Sequence, residues 1–280
     1  RMPDDRYIPF RQGAWRGHVH RDHAALFAGA EPLETLQVHP HTVVRQRPSM
    51  CLLRVRTPDR DVYAKHLTQA NAWRGGSRNP LDRLRWVLGG SRVERVRRTC
   101  EQLAAAGLCV PTVILAARRR RGWHAEELLV NAAVPGPTLK KSLATADDRP
   151  TAVALLHRVA DETHRLHAAG FVHGDLLPAN MIMAGDDHVC FVDNDRTRRA
   201  ARTARHGWRR NLAQMALRLV RNNGNRAAMI FLHAYMIHRS ESDAEKRHTL
   251  ARLLRDTRRR NARHARAKSP TRRIARHTST

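Results

Sequence analysis

The stretch Phe171-Val172-His173-Gly174-Asp175-Leu176-Leu177-Pro178-Ala179-Asn180 decides how this 280-residue chain is read. Asp175 and Asn180 stand five residues apart, and thirteen residues after Asn180 comes Asp193, ending the apolar run Val189-Cys190-Phe191-Val192. Ala184–His188 supplies a short hairpin turn in between. Ahead of the stretch, helical periodicity ends in Arg165-Leu166-His167-Ala168-Ala169-Gly170. A single Asp in a loop is far more often a turn or cap residue than a reactive one. Two carboxylates and an amide at these spacings, around an apolar strand, are much harder to reach by chance.

The pattern resembles the catalytic loop of protein-kinase-like phosphotransferases, with Gly174 in the place of the usual Arg. That resemblance implies an α+β, protein-kinase-like bilobal fold, with a strand-rich N-terminal lobe and a helical C-terminal lobe. It also implies roles. An acceptor hydroxyl needs a nearby carboxylate to take its proton, and Mg²⁺ needs hard oxygen ligands beside the nucleotide phosphates. Asp175 takes the part of catalytic base, and Asn180 and Asp193 those of metal ligands, with ATP and Mg²⁺ as cofactors.

Such a fold calls for a lysine on its third strand to neutralise the nucleotide phosphates. Val62-Tyr63-Ala64-Lys65 lies on an alternating strand upstream, which makes Lys65 the candidate; its plain alternative is an exposed strand lysine. The following helix should offer Lys65 a carboxylate. Glu94, near the helix start, fits best and Glu101 is the rival, although Glu94 also suits the acid of a capping box opened by Ser91. No GxGxxG precedes Lys65, and 38–45 contains no glycine at all. Phosphate coverage then falls to another backbone arrangement or to arginines.

Asp193-Asn194-Asp195-Arg196 is not Asp-Phe-Gly, and no APE follows, which disfavours an ordinary protein kinase. This DxDR, with Trp208-Arg209-Arg210-Asn211-Leu212-Ala213-Gln214 downstream, looks like the lipopolysaccharide kinase family, including its Kdo and heptose kinases. The HGDL…N loop, the AxK strand and Gly107-Leu108-Cys109-Val110-Pro111-Thr112 are similar to it too, so the likeness spans about residues 40–222. It implies ATP- and Mg²⁺-dependent phosphorylation of a sugar hydroxyl on a lipid-linked glycan, at the cytoplasmic face of the inner membrane. Asn194 departs from the hydrophobic residue often found there. Two competing readings are a soluble aminoglycoside- or choline-type phosphotransferase and a non-catalytic, polyanion-binding pseudokinase.

Composition separates these readings. The net charge of +27 and the 18 histidines favour anionic partners. Acidic pockets for cationic substrates do not suit such a chain; an anionic glycolipid acceptor and an anionic membrane surface do, ahead of nucleic acid. Four scattered cysteines form no CxxC pair, which points to a reducing cytosol. RMPDDRYIPF carries no secretory pattern, and the weakly charged run Leu103–Ala117 is too short to span a bilayer.

Along the chain, 1–41 reads as an N-terminal arm, 42–133 as the strand-rich lobe, 134–257 as the helical lobe and 258–280 as a disordered basic tail. TVVRQR, MCLLRVRT and DVYAKHL alternate as strands. Residues 69–90 read as a loop with a helical piece, Ser91–Ala106 as a capped helix stopping at Gly107, and 112–117 and 125–131 as strands joined by the basic turn Arg118–Gly122. VPGPT at 134–138 has the character of a hinge. Helices are expected at 151–169, 208–222 and 225–238. His18, His20 and His23 (HxHxxH) can gather imidazoles, but no partner completes a ligand set. Residues 247–280 hold twelve Lys or Arg against the single acid Asp256, either a solvated end or a polyanion-binding arm.

Overall fold

The computed structural model describes residues 5–68, 90–121, 124–185, 188–200 and 207–268. The loop expected over 69–90, save Gly90, and residues 269–280 of the tail lie outside them. The chain divides into two compact units, Arg1–Val134 and Pro135–Thr280, at the start of the VPGPT segment.

The first unit is built on strands β1 (Tyr7–Gln12), β2 (Trp15–His20), β3 (His41–Arg47), β4 (Met50–Arg56), β5 (Asp61–Thr68), β6 (Val113–Arg121) and β7 (His124–Ala132). They form one antiparallel sheet in the order β1-β2-β6-β7-β5-β4-β3. Period-two alternation sorts their side chains. Val62 and Ala64 of β5 join Phe10, Trp15, Leu115, Leu128 and Val130 in a core on one face. Leu67 points the other way, to a second core with Val113, Ala116 and Leu129. The helix Arg92–Ala105 supplies Val93, Val96 and Cys100 to that second core, on a single helical stripe. Ser91 caps it by accepting from the Glu94 N–H at 3.3 Å.

Two expectations fail in this unit. The arm expected over 1–41 does not hold for its described residues, 5–41: the β1–β2 hairpin pairs with β6, followed by a 3₁₀ segment (Arg21–Phe27) and helix α1 (Pro32–Gln37). Phe10, Trp15, Val19, Phe27 and Leu36 are all buried in the core, but His, Arg and Pro between them hide the pattern. The helix Arg92–Ala105 is therefore α2. Nor is Arg118–Arg121 a turn, because β6 continues to Arg121. Arg118 and Arg119 face Glu127 and Glu126 across β7, and opposite charges on paired strands support the ladder. Arg119 bridges Glu31 and Glu126 at 2.9 Å each and lies 4.8 Å over the Trp15 ring.

The second unit is mainly helical. Helices α3 (Leu139–Ala144) and α4 (Arg149–Ala168) are capped by Thr138 and Asp148. Asp148 accepts from Thr151 N–H at 2.7 Å with Pro150 in the first turn, so α4 starts ahead of its apolar stripe. Short strands β8 (Phe171–Val172), β9 (Met181–Ala184), β10 (His188–Phe191) and β11 (Arg198–Arg199) follow. β9 pairs with β10, and β11 returns to pair with β8. Helix α5 (Gly207–Ile237) holds both helices expected between 208 and 238; Gly224, at φ 83° and ψ 171°, breaks it between them. Leu156, Val159 and Leu166 of α4 are buried, as are Leu212, Met215, Phe231 and Tyr235 of α5.

The basic tail is corrected as well. Helix α6 runs Asp243–Lys268, so 258–268 is helical rather than disordered. Leu253 and Thr257 are buried, and this packing nucleates turns that composition alone would not sustain.

Candidate active site

The loop between β8 and the 3₁₀ turn Pro178–Asn180 holds Asp175 by its backbone. Asp175 N–H donates to His173 Nδ1 at 3.2 Å, and Asn180 Nδ2 donates to the Asp175 carbonyl at 2.9 Å. With Nδ1 accepting, the His173 proton sits on Nε2, which donates to the Val192 carbonyl at 3.1 Å. Burial pushes the His173 pKa down, so the neutral ring this wiring requires is also the favoured one. Asp175 itself is partly exposed, and its carboxylate has no hydrogen-bond partner among the described residues.

Asn211 of α5 supports the loop from beneath. Its Oδ1 accepts from His173 N–H at 3.0 Å, and its Nδ2 donates to the His173 carbonyl. The same Oδ1 accepts from His167 Nε2 at 3.1 Å, which leaves His167 Nδ1 to accept from the Tyr235 hydroxyl at 2.9 Å. Burial pulls the His167 pKa down to about 4 and raises that of Tyr235, so both stay neutral.

Asp193 has φ 59° and ψ 50°, the one non-glycine with positive φ among the described residues. A left-handed residue costs roughly 1–2 kcal/mol, and Asp is among the side chains that tolerate it best. The reversal sends the chain from β10 into the 3₁₀ turn Asn194–Arg196 and back along β8. Asn194 is buried and closes this turn: Nδ2 donates to the Phe191 carbonyl at 2.8 Å, and Oδ1 accepts from Thr197 Oγ1 at 3.0 Å. A hydrophobic side chain there would make neither bond. The turn also explains Gly174. A Cβ at that position would lie 2.0 Å from Arg196 Cβ and 2.4 Å from its carbonyl oxygen. The arginine common at this place in related loops has no room.

Asn180 and Asp193 are brought side by side, because Val192 N–H donates to the Asn180 carbonyl at 3.0 Å. With the Asn180 amide nitrogen committed to Asp175, its side-chain oxygen is the remaining donor atom, and Asp193, one residue beyond Val192, is exposed. Hard oxygens of this kind fit Mg²⁺.

In the first unit, Lys65 pairs with Leu52 and Leu129 and shares the α2 face of the sheet with Leu67. Glu94 is on that face too. Its carboxylate accepts from Arg97 Nε at 3.0 Å and Arg98 Nε at 3.1 Å, and meets His18 Nδ1 at 3.0 Å. Burial opposes its charge, but the Arg97 and Arg98 guanidinium groups, with the His18 contact, hold its pKa below the usual carboxylate range. Glu101 pairs with Arg97. Where a glycine-rich loop was absent from the sequence, β3 and β4 meet in the two-residue turn Pro48-Ser49, with Arg45 and Arg47 on β3. Of the three N-terminal histidines, His18 goes to Glu94, while His20 packs against both Tyr7 and His23.

Asn211, His167 and Tyr235 escaped sequence reasoning as parts of the site. Only the Trp208–Gln214 stretch marked Asn211, and a lone Asn on a helix carries no signal of what it holds. A family model described as lipopolysaccharide kinase (Kdo/WaaP) family matches residues 54–267. No curated protein matches the chain.

Proposed function

The chain belongs to the lipopolysaccharide kinase (Kdo/WaaP) family, and from that premise we propose that it transfers the γ-phosphoryl group of ATP to a hydroxyl of a Kdo or heptose sugar in the lipopolysaccharide inner core. The observation that carries this reading is the arrangement at Asp175. Its backbone is fixed on both sides by His173 and Asn180, while its carboxylate is left without a partner among the described residues. A carboxylate so held can accept the proton of an incoming sugar hydroxyl without first breaking a bond of its own.

Asn180 and Asp193 would hold Mg²⁺, which when bound supplies neutralisation of charge on the phosphates. Lys65 serves as a point charge for the nucleotide phosphates, and Glu94, whose carboxylate is held by Arg97, Arg98 and His18 in this structure, would orient it on exchanging one of them. An anionic acceptor is supported by Arg196, Arg198 and Arg199, exposed on the segment that packs along the Asp175 loop. No helix of the described residues is long and apolar enough to cross a membrane. The basic helix α6 suits attachment to an anionic leaflet, and work at the cytoplasmic face of the inner membrane follows from the acceptor.

ATP turnover assayed with Kdo-lipid A, heptosylated core, an aminoglycoside and a protein tests the assignment. Phosphate is expected on the core sugar. Turnover with the aminoglycoside alone would replace the acceptor class.

A further inference from the structure

Strands β1, β2 and β6 lay a row of arginines across one sheet face. Arg11 stands directly opposite Arg16, and Arg16 directly opposite Arg118. Like charges facing each other on antiparallel strands work against the pairing. His18, two residues from Arg16, is on the same face, where it faces Pro9 and Ala116. With the start of α2, these strands line a groove of about 850 Å³ whose charged wall is Arg11, Arg16, His18, Arg118, Arg120 and Glu94.

Glu94 is the one acid in that lining among the described residues, and Arg97 and Arg98, which do not line the groove, already match its carboxylate. Burial, and then the neighbouring Arg120, make the Arg118 charge harder to keep, against the pull of Glu127. Among the described residues, four arginines and a histidine thus share one groove lining with a single acid, Glu94, while Glu127 draws on Arg118 from the neighbouring strand. Arg16 gives its Nη1 to the Gly13 and Trp15 carbonyls, and the guanidinium groups carried on three strands still hold further N–H donors, which match phosphate oxygens in pairs. The volume leaves room for a carbon body beyond the phosphate.

We propose that this groove binds a phosphate monoester dianion. The site does not rest on the phosphotransfer reading. A free phosphate ester and a lipid headgroup present the same chemistry, and the test separates them.

Thermal melting of the full chain is followed against inorganic phosphate for the wild type, the double variant Arg16→Gln/Arg118→Gln, Lys65→Ala, and Arg226→Gln on the exposed side of α5. Saturable stabilisation is expected in the wild type, Lys65→Ala and Arg226→Gln. The double variant should need at least about tenfold more phosphate, since bonds to charged groups are being removed. Without phosphate the double variant should still melt in one cooperative transition, which confirms that it folds: relief of the like-charge row works against the lost pairing of Arg118 with Glu127. Equal, unsaturable responses in the double variant and Arg226→Gln, or loss that follows Lys65→Ala instead, overturn the site. In a second arm, vesicles of phosphatidylcholine with phosphatidic acid are compared with phosphatidylglycerol vesicles. Preference for phosphatidic acid that the double variant loses assigns a lipid headgroup. Phosphate binding without that preference assigns a soluble ester.

Discussion

Asn211 holds the backbone of His173 with both ends of its amide, Oδ1 accepting from the N–H at 3.0 Å and Nδ2 donating to the carbonyl. His173 in turn accepts from the Asp175 N–H and donates to the Val192 carbonyl, one residue before Asp193. One buried side chain on α5 thus sets the backbone from which both proposed reactive carboxylates project.

Asn211→Ala should be costly for that reason. It orphans a buried N–H and a buried carbonyl, at roughly 1–3 kcal/mol each. A lowered melting temperature is expected, together with a fall in kcat larger than any change in the KM for ATP. Unchanged melting and kcat would mean the amide positions nothing.

Gly174→Ala tests the close approach of Arg196. A Cβ 2.0 Å from Arg196 Cβ forces backbone to move, at about 1–3 kcal/mol or more. The variant should melt lower and lose phosphoryl transfer together, because the turn that displaces is the one carrying Asp193. Wild-type melting would show that the 194–196 turn yields freely.

Acid should destabilise the fold through His167. Its pKa is about 4 when folded, against an ordinary 6.5, so between those values the unfolded chain binds more protons than the folded one. Stability from this group is full above pH 6.5, falls as the pH drops, and has lost about 3 kcal/mol by pH 4. His173, shifted down by burial too, adds in the same direction. Denaturant midpoints should fall from pH 7 to pH 5, less steeply in His167→Gln. Equal slopes in the two proteins would contradict the assignment.

Much of the candidate site was legible as a cluster because its residues are local. Asp175, Asn180 and Asp193 fall within one loop and one hairpin, where spacing along the chain is close to spacing in space. Strand alternation around Lys65 and the Ser91 cap were readable for the same reason. The β1–β2 hairpin was not, since its value lies in pairing with β6 about a hundred residues on. Arg118–Arg121 misled because charge clusters resemble turns, and only the facing Glu126 and Glu127 keep them in a strand. Asn194 read as a departure; its two buried bonds make it the residue that closes the turn.

Truncation after Thr257 tests membrane attachment by the basic end. Leu253 and Thr257 stay in place, so the packing of α6 that buries them is kept. Each Lys or Arg near an anionic leaflet adds about 1 kcal/mol, screened beyond about 8 Å at physiological salt. Co-sedimentation with anionic vesicles should fall sharply, and the residual binding of the full chain should weaken as salt rises. Undiminished, salt-insensitive binding by the truncated protein would make the end a solvated one.

The most direct measurement is phosphoryl transfer from ATP to a lipopolysaccharide core acceptor by Asp175→Asn beside the wild type, with melting recorded for both. Loss of a general base lowers the rate by about 10²–10⁴-fold. A fall of that size with melting unchanged is the predicted result. Transfer by Asp175→Asn at the wild-type rate would contradict the account at its centre.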